Sequence, residues 1–464
     1  MLGLGAFRTG VAPGGALAGP WVRNPLWRNA RAVPSLDLQF ADNKSLVDGV
    51  TSQNLVSFTR ASSATYTDSA GVLRSAVTNL LLRSEEFNDA SWVKTGTTVS
   101  TNAVVAPNGT TTAETLIEDT STGTHLTTQS ITATISTVYT FSVFAKAASG
   151  TRSIRLLLPT SIFTTPGNCI FNLQTGTAGS LNSGITAASI TAFPDGWYRC
   201  SIVSPASTAA TSGNWTINLI NSGAASYTGD GTSGLYLWGA QIEQSSTVGD
   251  YVPTTSAINS APRFDHNPTT GESLGLLVEE ARTNLILWSE DFSNATWSKT
   301  SLTITANEST APDGTTTADL WTNTASPGTL SQSYTKDTTA RTYTSSLWIK
   351  GTLTQLTVSL DDGTTANRGR VQYNLSTNVV GSIFNEGTFT NTSGTLTVFP
   401  DGWVRVTITT TTSTGTTLRL RPFFSGIGSI ARIWGAQLEE GAFPTSYIPT
   451  TTATATRAAD VASI

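Results

Sequence analysis

Short runs in which large apolar residues alternate with small or polar ones recur along this chain. Tyr139-Thr-Phe-Ser-Val-Phe-Ala-Lys146 places Tyr139, Phe141 and Val143 on one face. Trp197-Tyr-Arg-Cys-Ser-Ile202 places Tyr198, Cys200 and Ile202 together, as Trp403-Val-Arg-Val-Thr-Ile408 does Val404, Val406 and Ile408. A period of two marks strands with one face in a core. Clusters of Gly, Asn, Asp and Pro separate the runs. The Pro-Asp-Gly of FPDGW is turn chemistry, because Pro presets φ and Gly tolerates the left-handed region. The pattern predicts antiparallel sandwiches. The one stretch that reads as a helical turn is SEEFNDASW, with Ser84 as cap and Glu86 near its start.

The runs come in pairs. TNLLLRSEEFNDASW from Thr78 returns as TNLILWSEDFSNATW from Thr283, an offset of 205. APNGTTTA at Ala106 returns as APDGTTTA at Ala311, and YTFSVFAK at Tyr139 as YTSSLWIK at Tyr343. FPDGWYRCSI at Phe193 returns as FPDGWVRVTI at Phe399, LYLWGAQIEQ at Leu235 as ARIWGAQLEE at Ala431, and DYVPTT at Asp250 as SYIPTT at Ser446. The order is kept and only loop lengths differ, so a module of domain size has been duplicated. The predicted organisation is an extended arm (1–36), a hairpin connector (37–77), a first sandwich (78–255), a second connector (256–282), a second sandwich (283–451) and a tail (452–464). The connectors share one plan: an aromatic or Arg start, a polar turn with Gly, an apolar strand, then TNL. ATRAADV in the tail looks like the start of a third such hairpin.

Composition agrees. Of 464 residues, 38% are hydrophobic and only 12% charged, and Thr, Ser, Gly and Asn fill the difference. These rank low for helix, and Thr suits strands. Twelve Trp, 17 Phe and 10 Tyr supply large side chains for cores. The net charge is −5, which argues against nucleic acid as a partner. The arm differs from the rest. It holds Arg8, Arg23, Arg28 and Arg31 with no acid, together with Trp21 and Trp27, and leaves a balance of −9 on the remainder. It lacks the pattern of a secretory signal, no run is long enough to span a membrane, and it reads as an extended Gly/Ala/Pro arm that is either disordered or pinned by a neighbour.

Cys169 aligns with Val371 and Cys200 with Val406. A disulfide is open if the two meet, but a small apolar side chain suffices in the duplicate, so two buried free thiols are the favoured reading. In both copies Trp, Ala and Ile or Leu alternate, as Trp238/Ala240/Ile242 and Trp434/Ala436/Leu438, which reads as a core stripe. Gln241, Glu243, Gln437 and Glu439 then face the other way, where they are candidates for glycan or partner contact. Trp197 and Trp403 follow a tight turn on the face opposite the inward residues and are candidates for partly exposed aromatics, although core or interface packing ranks ahead of glycan stacking for all four Trp.

FTRASSATY (58–66), LLVEEARTNLILWSEDF (276–292), the two PDGW turns and the two WGAQ-x-E strands resemble phage virion structural proteins built from carbohydrate-binding-module-like jelly rolls. The resemblance covers about 58–459. It implies an all-β chain of two tandem jelly-roll sandwiches behind an extended arm, and an adhesive or structural role without catalytic residues. Such modules occur in tail fibres, in head fibres or spikes, and in capsid decoration proteins.

Little else points to chemistry. His125 and His266 fall in unrelated contexts and neither repeats, which leaves zinc and triad readings without support. The paired acids Glu85/Glu86 and Glu290/Asp291, and Glu243 with its repeat Glu439, invite a glycosidase reading, but a helix start favours acids at the first two, the second two end a strand near the surface, and an identical catalytic pair in two copies is unusual. TGDGTSG (228–234) and LDDGTT (360–365) carry oxygens suited to a structural calcium, without the spacing of a defined loop; no other cofactor is expected. The reading is a non-enzymatic protein on the virion exterior, a fibre or spike anchored to capsid, portal or tail proteins through Arg8, Trp21, Arg23, Trp27, Arg28 and Arg31. Homo-oligomers, trimers included, and host-surface glycans are expected partners. The alternatives are a capsid cement protein and a soluble carbohydrate-binding module.

Overall fold

The computed structural model describes residues 38–49, 51–412 and 414–464. The arm residues named above lie outside them. Each copy folds as two six-stranded antiparallel sheets, and the strand order is the same in both. In the first copy Thr140–Ala147 runs between Tyr198–Val203 and Gly234–Glu243. In the second, Thr342–Lys350 runs between Val404–Thr411 and Ile430–Glu440. The facing sheets are centred on Ser153–Leu157 beside Ser212–Ile220, and on Leu356–Asp361 beside Thr417–Phe424.

Period-two residues fill the space between the sheets. Tyr139, Phe141, Val143, Cys200 and Ile202 share one core with Ile154, Leu156, Trp215 and Ile217. Tyr343, Leu347, Val406 and Ile408 share the other with Val358, Leu360 and Leu420. Cys169 and Cys200 are both buried in the first core as free thiols. Burial, with Cys169 nearby, raises the Cys200 thiol well above its ordinary range, which keeps it a neutral, small hydrophobe.

Alternation breaks at one place in each copy. Register shifts between Ser142 and Phe144, and between Ser346 and Trp348, opposite Gly239 and Gly435. Both glycines have positive φ, +61° and +64°. A Cβ on Gly435 would come within 2.8 Å of the Trp348 ring. This bulge turns the strand over. Ala240 and Ile242 stay in the core, as do Ala436 and Leu438, whereas Trp238 and Trp434 turn to the outer face. The expected Trp/Ala/Ile stripe is therefore split.

SEEFNDASW is not a helix. Residues 84–92 form successive turns, because Ser84 does not cap but bonds through Oγ to Tyr251 OH at 2.6 Å. The Glu114 carboxylate, from a neighbouring strand, takes the Asn88 N–H at 3.0 Å, and Asp319 takes the N–H of Phe292, the counterpart of Phe87, at 2.8 Å.

The connectors assemble with one another. Thr65–Thr67 and Leu73–Ser75 form the first hairpin; Arg263–His266 and Ser273–Leu277 form the second. The tail strand Val461–Ser463 pairs antiparallel with Ser57–Thr59, from the other end of the described chain. Where they meet, Arg60 and Arg263 bind Asp460, each at 2.6 Å, and Arg263 and Arg457 bind Glu279, each at 2.8 Å. The three arginines are fully buried, and burial lowers Arg60 to about 10. The first hairpin also reaches the second sandwich. Leu73 joins the cluster of Trp348, Trp403, Trp434 and Tyr447, and its N–H donates to Pro312 O at 3.0 Å. Phe399 is consequently 7% exposed, whereas its counterpart Phe193, with no hairpin over it, is 37% exposed.

Candidate functional site

The repeated motifs converge on the outer face of one sheet in each copy. There Phe144, Trp197 and Trp238 pack with Ala106 and Ala113, as Trp348, Trp403 and Trp434 pack with Ala311 and Ala318. The APNGTTTA and APDGTTTA loops lie over the indoles. Trp238 Nε1 donates to Thr112 Oγ1 at 3.1 Å and Trp434 Nε1 to Thr317 Oγ1 at 3.0 Å. Trp197 Nε1 donates to Val105 O at 3.1 Å and Trp403 Nε1 to Thr310 O at 3.2 Å. Trp197 and Trp403 face away from the main core, as the alternation predicts, but they are 1% and 3% exposed. They are not exposed aromatics, because the strand leading into each loop closes over them.

Gln241, Glu243, Gln437 and Glu439 are also withdrawn from solvent. Each copy's last segment crosses the outer face, and the carboxamide stands in for a strand partner. Gln241 Oε1 accepts from Val252 N–H at 2.8 Å, and Gln437 Oε1 from Ile448 N–H at 2.7 Å. Glu243 Oε1 accepts from Gly249 N–H, and Glu439 Oε1 from Thr445 N–H, both at 2.9 Å. All four side chains are buried, so they bind this chain's own backbone and offer nothing to a glycan. Arg199 and Arg405 of the FPDGW-x-R motif complete the layer, stacking over Phe144 at 5.2 Å and Trp348 at 4.5 Å.

The paired acids divide. Tyr251 OH donates to Glu85 Oε1 and Tyr447 OH to Glu290 Oε1, both at 3.1 Å. Burial, with Asp313 nearby, pushes Glu290 up to about 7, and burial raises Glu85. Their partners in sequence differ: Glu86 pairs with Arg83 at 2.8 Å, and Asp291 caps its own turn through Ser293 Oγ at 2.6 Å. Each acid thus has a structural partner in the same copy.

The other candidates are equally engaged. His125 Nδ1 lies 2.7 Å from Gly96 O, and His266 Nδ1 lies 3.0 Å from Thr67 O. Asp230 of TGDGTSG accepts from Ser233 Oγ at 2.6 Å and from the Thr232 and Ser233 N–H groups, each at 2.7 Å. Asp361 of LDDGTT pairs with Arg419 at 2.8 Å and Arg421 at 3.1 Å. No group of three or more metal-ligating side chains occurs among the described residues, and no described helix is long and apolar enough to cross a membrane.

The surface that sequence reasoning missed is the outer face of the facing sheet in the second copy. RGRVQYN and TLRLRPFF alternate arginine with core residues. Val371, Tyr373, Leu418 and Leu420 point into the core, and Arg368, Arg370, Arg419 and Arg421 point out. Period two was the signal, and it was visible in both stretches.

No family model and no curated protein matches the chain. Solved structures show distant likenesses. The tandem CBM22-1–CBM22-2 domain of Paenibacillus barcinonensis Xyn10C is 12% identical over 79% of this chain and 98% of that one, with a TM-score of 0.23. The enzymatically active domain of bacteriophage CBA120 tailspike protein 4 is 13% identical over 34% of this chain and 21% of that one, with a TM-score of 0.24. The CBM22-1–GH10 modules of Clostridium thermocellum xylanase 10B are 16% identical over 38% and 30%, with a TM-score of 0.22. Scores this low carry no inference about what this chain binds.

Proposed function

We propose that the protein is a non-enzymatic structural component of a phage particle, an exposed fibre or spike whose residues 1–36 attach it to the virion and whose sandwiches present a glycan-binding surface. The observation that carries this reading is the arginine–carboxylate junction. It ties residue 60 to residue 460 and sets strand Ser57–Thr59 beside the tail, so the chain leading in from the arm enters next to the tail. That is a suitable geometry for a body held at one end. The repeated residues support a scaffold role as well, since Trp, Gln, Glu and Tyr of each motif serve packing in both copies. A symmetric oligomer, a trimer included, suits a projecting part.

Deleting residues 1–36 tests the reading. The truncated protein is expected to keep the wild-type melting temperature and to be lost from purified particles. Incorporation at the wild-type level would sink it.

A further inference from the structure

The second sandwich carries a charge pattern that its twin lacks. Asp361 lies between Arg368 and Arg419 on adjacent strands, and Ser359 lies between Arg370 and Arg421 one row further on. Strand spacing and rise put the four arginines at the corners of a rectangle of roughly 10 by 7 Å. Glu386 is the only other acid bonded to them among the described residues, pairing with Arg368 and Arg370. Four positive charges thus share two negative ones, on a chain whose net charge is −5.

The duplicate serves as a control. Gln332 sits opposite Leu420, as Gln129 sits opposite Trp215. Arg419 and Arg421 therefore correspond to Asn214 and Thr216. The alignment of Val371 with Cys169 makes Arg368-Gly-Arg370 correspond to Pro166-Gly-Asn168. None of the four positions is charged in the first sandwich. The cores were kept while this face diverged, so the fold does not require the arginines.

Their donors are only partly used. Arg419 bonds through Nε to Asp361 at 2.8 Å, Arg421 Nε lies 3.1 Å from Asp361, and Arg368 bonds through Nε to Glu386. The Nη atoms of these three donate to no acceptor among the described residues, and Arg421 Nη2 is a buried donor without a partner. The acids thus hold the Arg368 and Arg419 guanidinium groups by the Nε edge and leave their Nη atoms without a protein acceptor, whereas Arg370 Nη2 is paired with Glu386 at 2.9 Å and Arg421 Nη2 is buried. Arg370 lies over the Phe384 ring at 3.8 Å and Arg421 over Phe423 at 5.3 Å, which stiffens the array further. A preorganised guanidinium fork matches a carboxylate, sulfate or phosphate.

We propose that Arg368, Arg370, Arg419 and Arg421 on the outer face of the second sandwich form a binding site for an acidic polysaccharide. This deepens the attachment reading and rests on it. Oxyanions of the polymer dock on the Nη forks of Arg368 and Arg419, Arg370 and Arg421 add positive charge beside them, and the first sandwich takes no part in charge recognition.

The test is binding of the intact protein to polygalacturonate, dextran sulfate and neutral dextran at low and at physiological salt. The acidic polymers are expected to bind at least about tenfold more tightly than dextran and to weaken as salt rises. Preference between the two acidic polymers assigns the oxyanion as carboxylate or sulfate. Arg368→Gln with Arg419→Gln is expected to lower acidic-polymer affinity about tenfold, and the paired Lys substitutions to restore only part of it. Melting temperature accompanies each variant, and Arg421→Lys, which keeps the charge beside Asp361, serves if the Gln pair fails to fold. The proposal is overturned if acidic polymers bind no better than dextran, or if folded variants keep full affinity. Binding confined to neutral glycans would overturn it while leaving glycan attachment intact.

Discussion

Arg60 Nη1 donates to Asp460 Oδ1 at 2.6 Å across four hundred residues of chain, and neither side chain meets solvent. The second Asp460 oxygen takes Arg263 at 2.6 Å and the Glu279 N–H at 2.8 Å. One carboxylate therefore joins both connectors to the tail. Removing one partner of a buried ionic cluster leaves charge uncompensated, which costs about 3–5 kcal/mol. Asp460→Asn is expected to lower unfolding stability by that amount in urea titrations. A change below about 1 kcal/mol would show that water already screens the junction.

Gly435 tests the bulge. Its φ of +64° and the close Trp348 ring leave no room for a side chain. Gly435→Ala is expected to destabilise the protein by about 2 kcal/mol or more. Equilibrium unfolding of the variant at wild-type stability would mean that the strand can flatten and return Trp434 to the core side.

The thiols test the equivalence of the copies. Cys169→Val and Cys200→Val each install the residue of the duplicate, and each is expected to change stability by less than about 1.5 kcal/mol. In the native protein both thiols are expected to resist a thiol reagent and to react fully after denaturation.

Glu290 tests the electrostatics of the outer face. Its folded pKa, about 7, lies above the ordinary 4.5, so the folded protein binds more protons between those values. The stability that this group contributes is present in acid and is lost as pH rises from about 4.5 through 7. Glu279 works in the opposite sense. Although burial opposes it, Arg457 and Arg263 hold its carboxyl below the usual range, so its contribution is present above about 4.5 and fades as pH falls further. Melting temperature followed from pH 4.5 to 8 is expected to fall less in Glu290→Gln than in wild type. Equal slopes would show that Glu290 titrates as an exposed acid does.

Much of the fold was legible because duplication displays each element twice. Tyr139, Phe141 and Val143 announced their face, and Val371 and Val406 explained the cysteines. The misplaced residues share one cause. Alternation tells which face a side chain takes but not what chain later covers it. Trp197 and Trp403 lie under loops some ninety residues away in sequence. Gln241 and Gln437 lie under the segments that leave their own sandwiches. Trp238 and Trp434 moved because a single glycine shifted the register. The junction gathers Arg60 and Arg263 from the two connectors and Arg457 from the tail, each ordinary on its own.

The central claim is that the repeated acids hold the outer face together and carry out no reaction, and polysaccharide turnover tests it most directly. Intact protein is expected to release no reducing ends from neutral or acidic polysaccharides, and Glu85→Gln with Glu290→Gln to change only the melting behaviour. Turnover by wild type that disappears in a normally folded Glu85→Gln/Glu290→Gln protein would contradict the account.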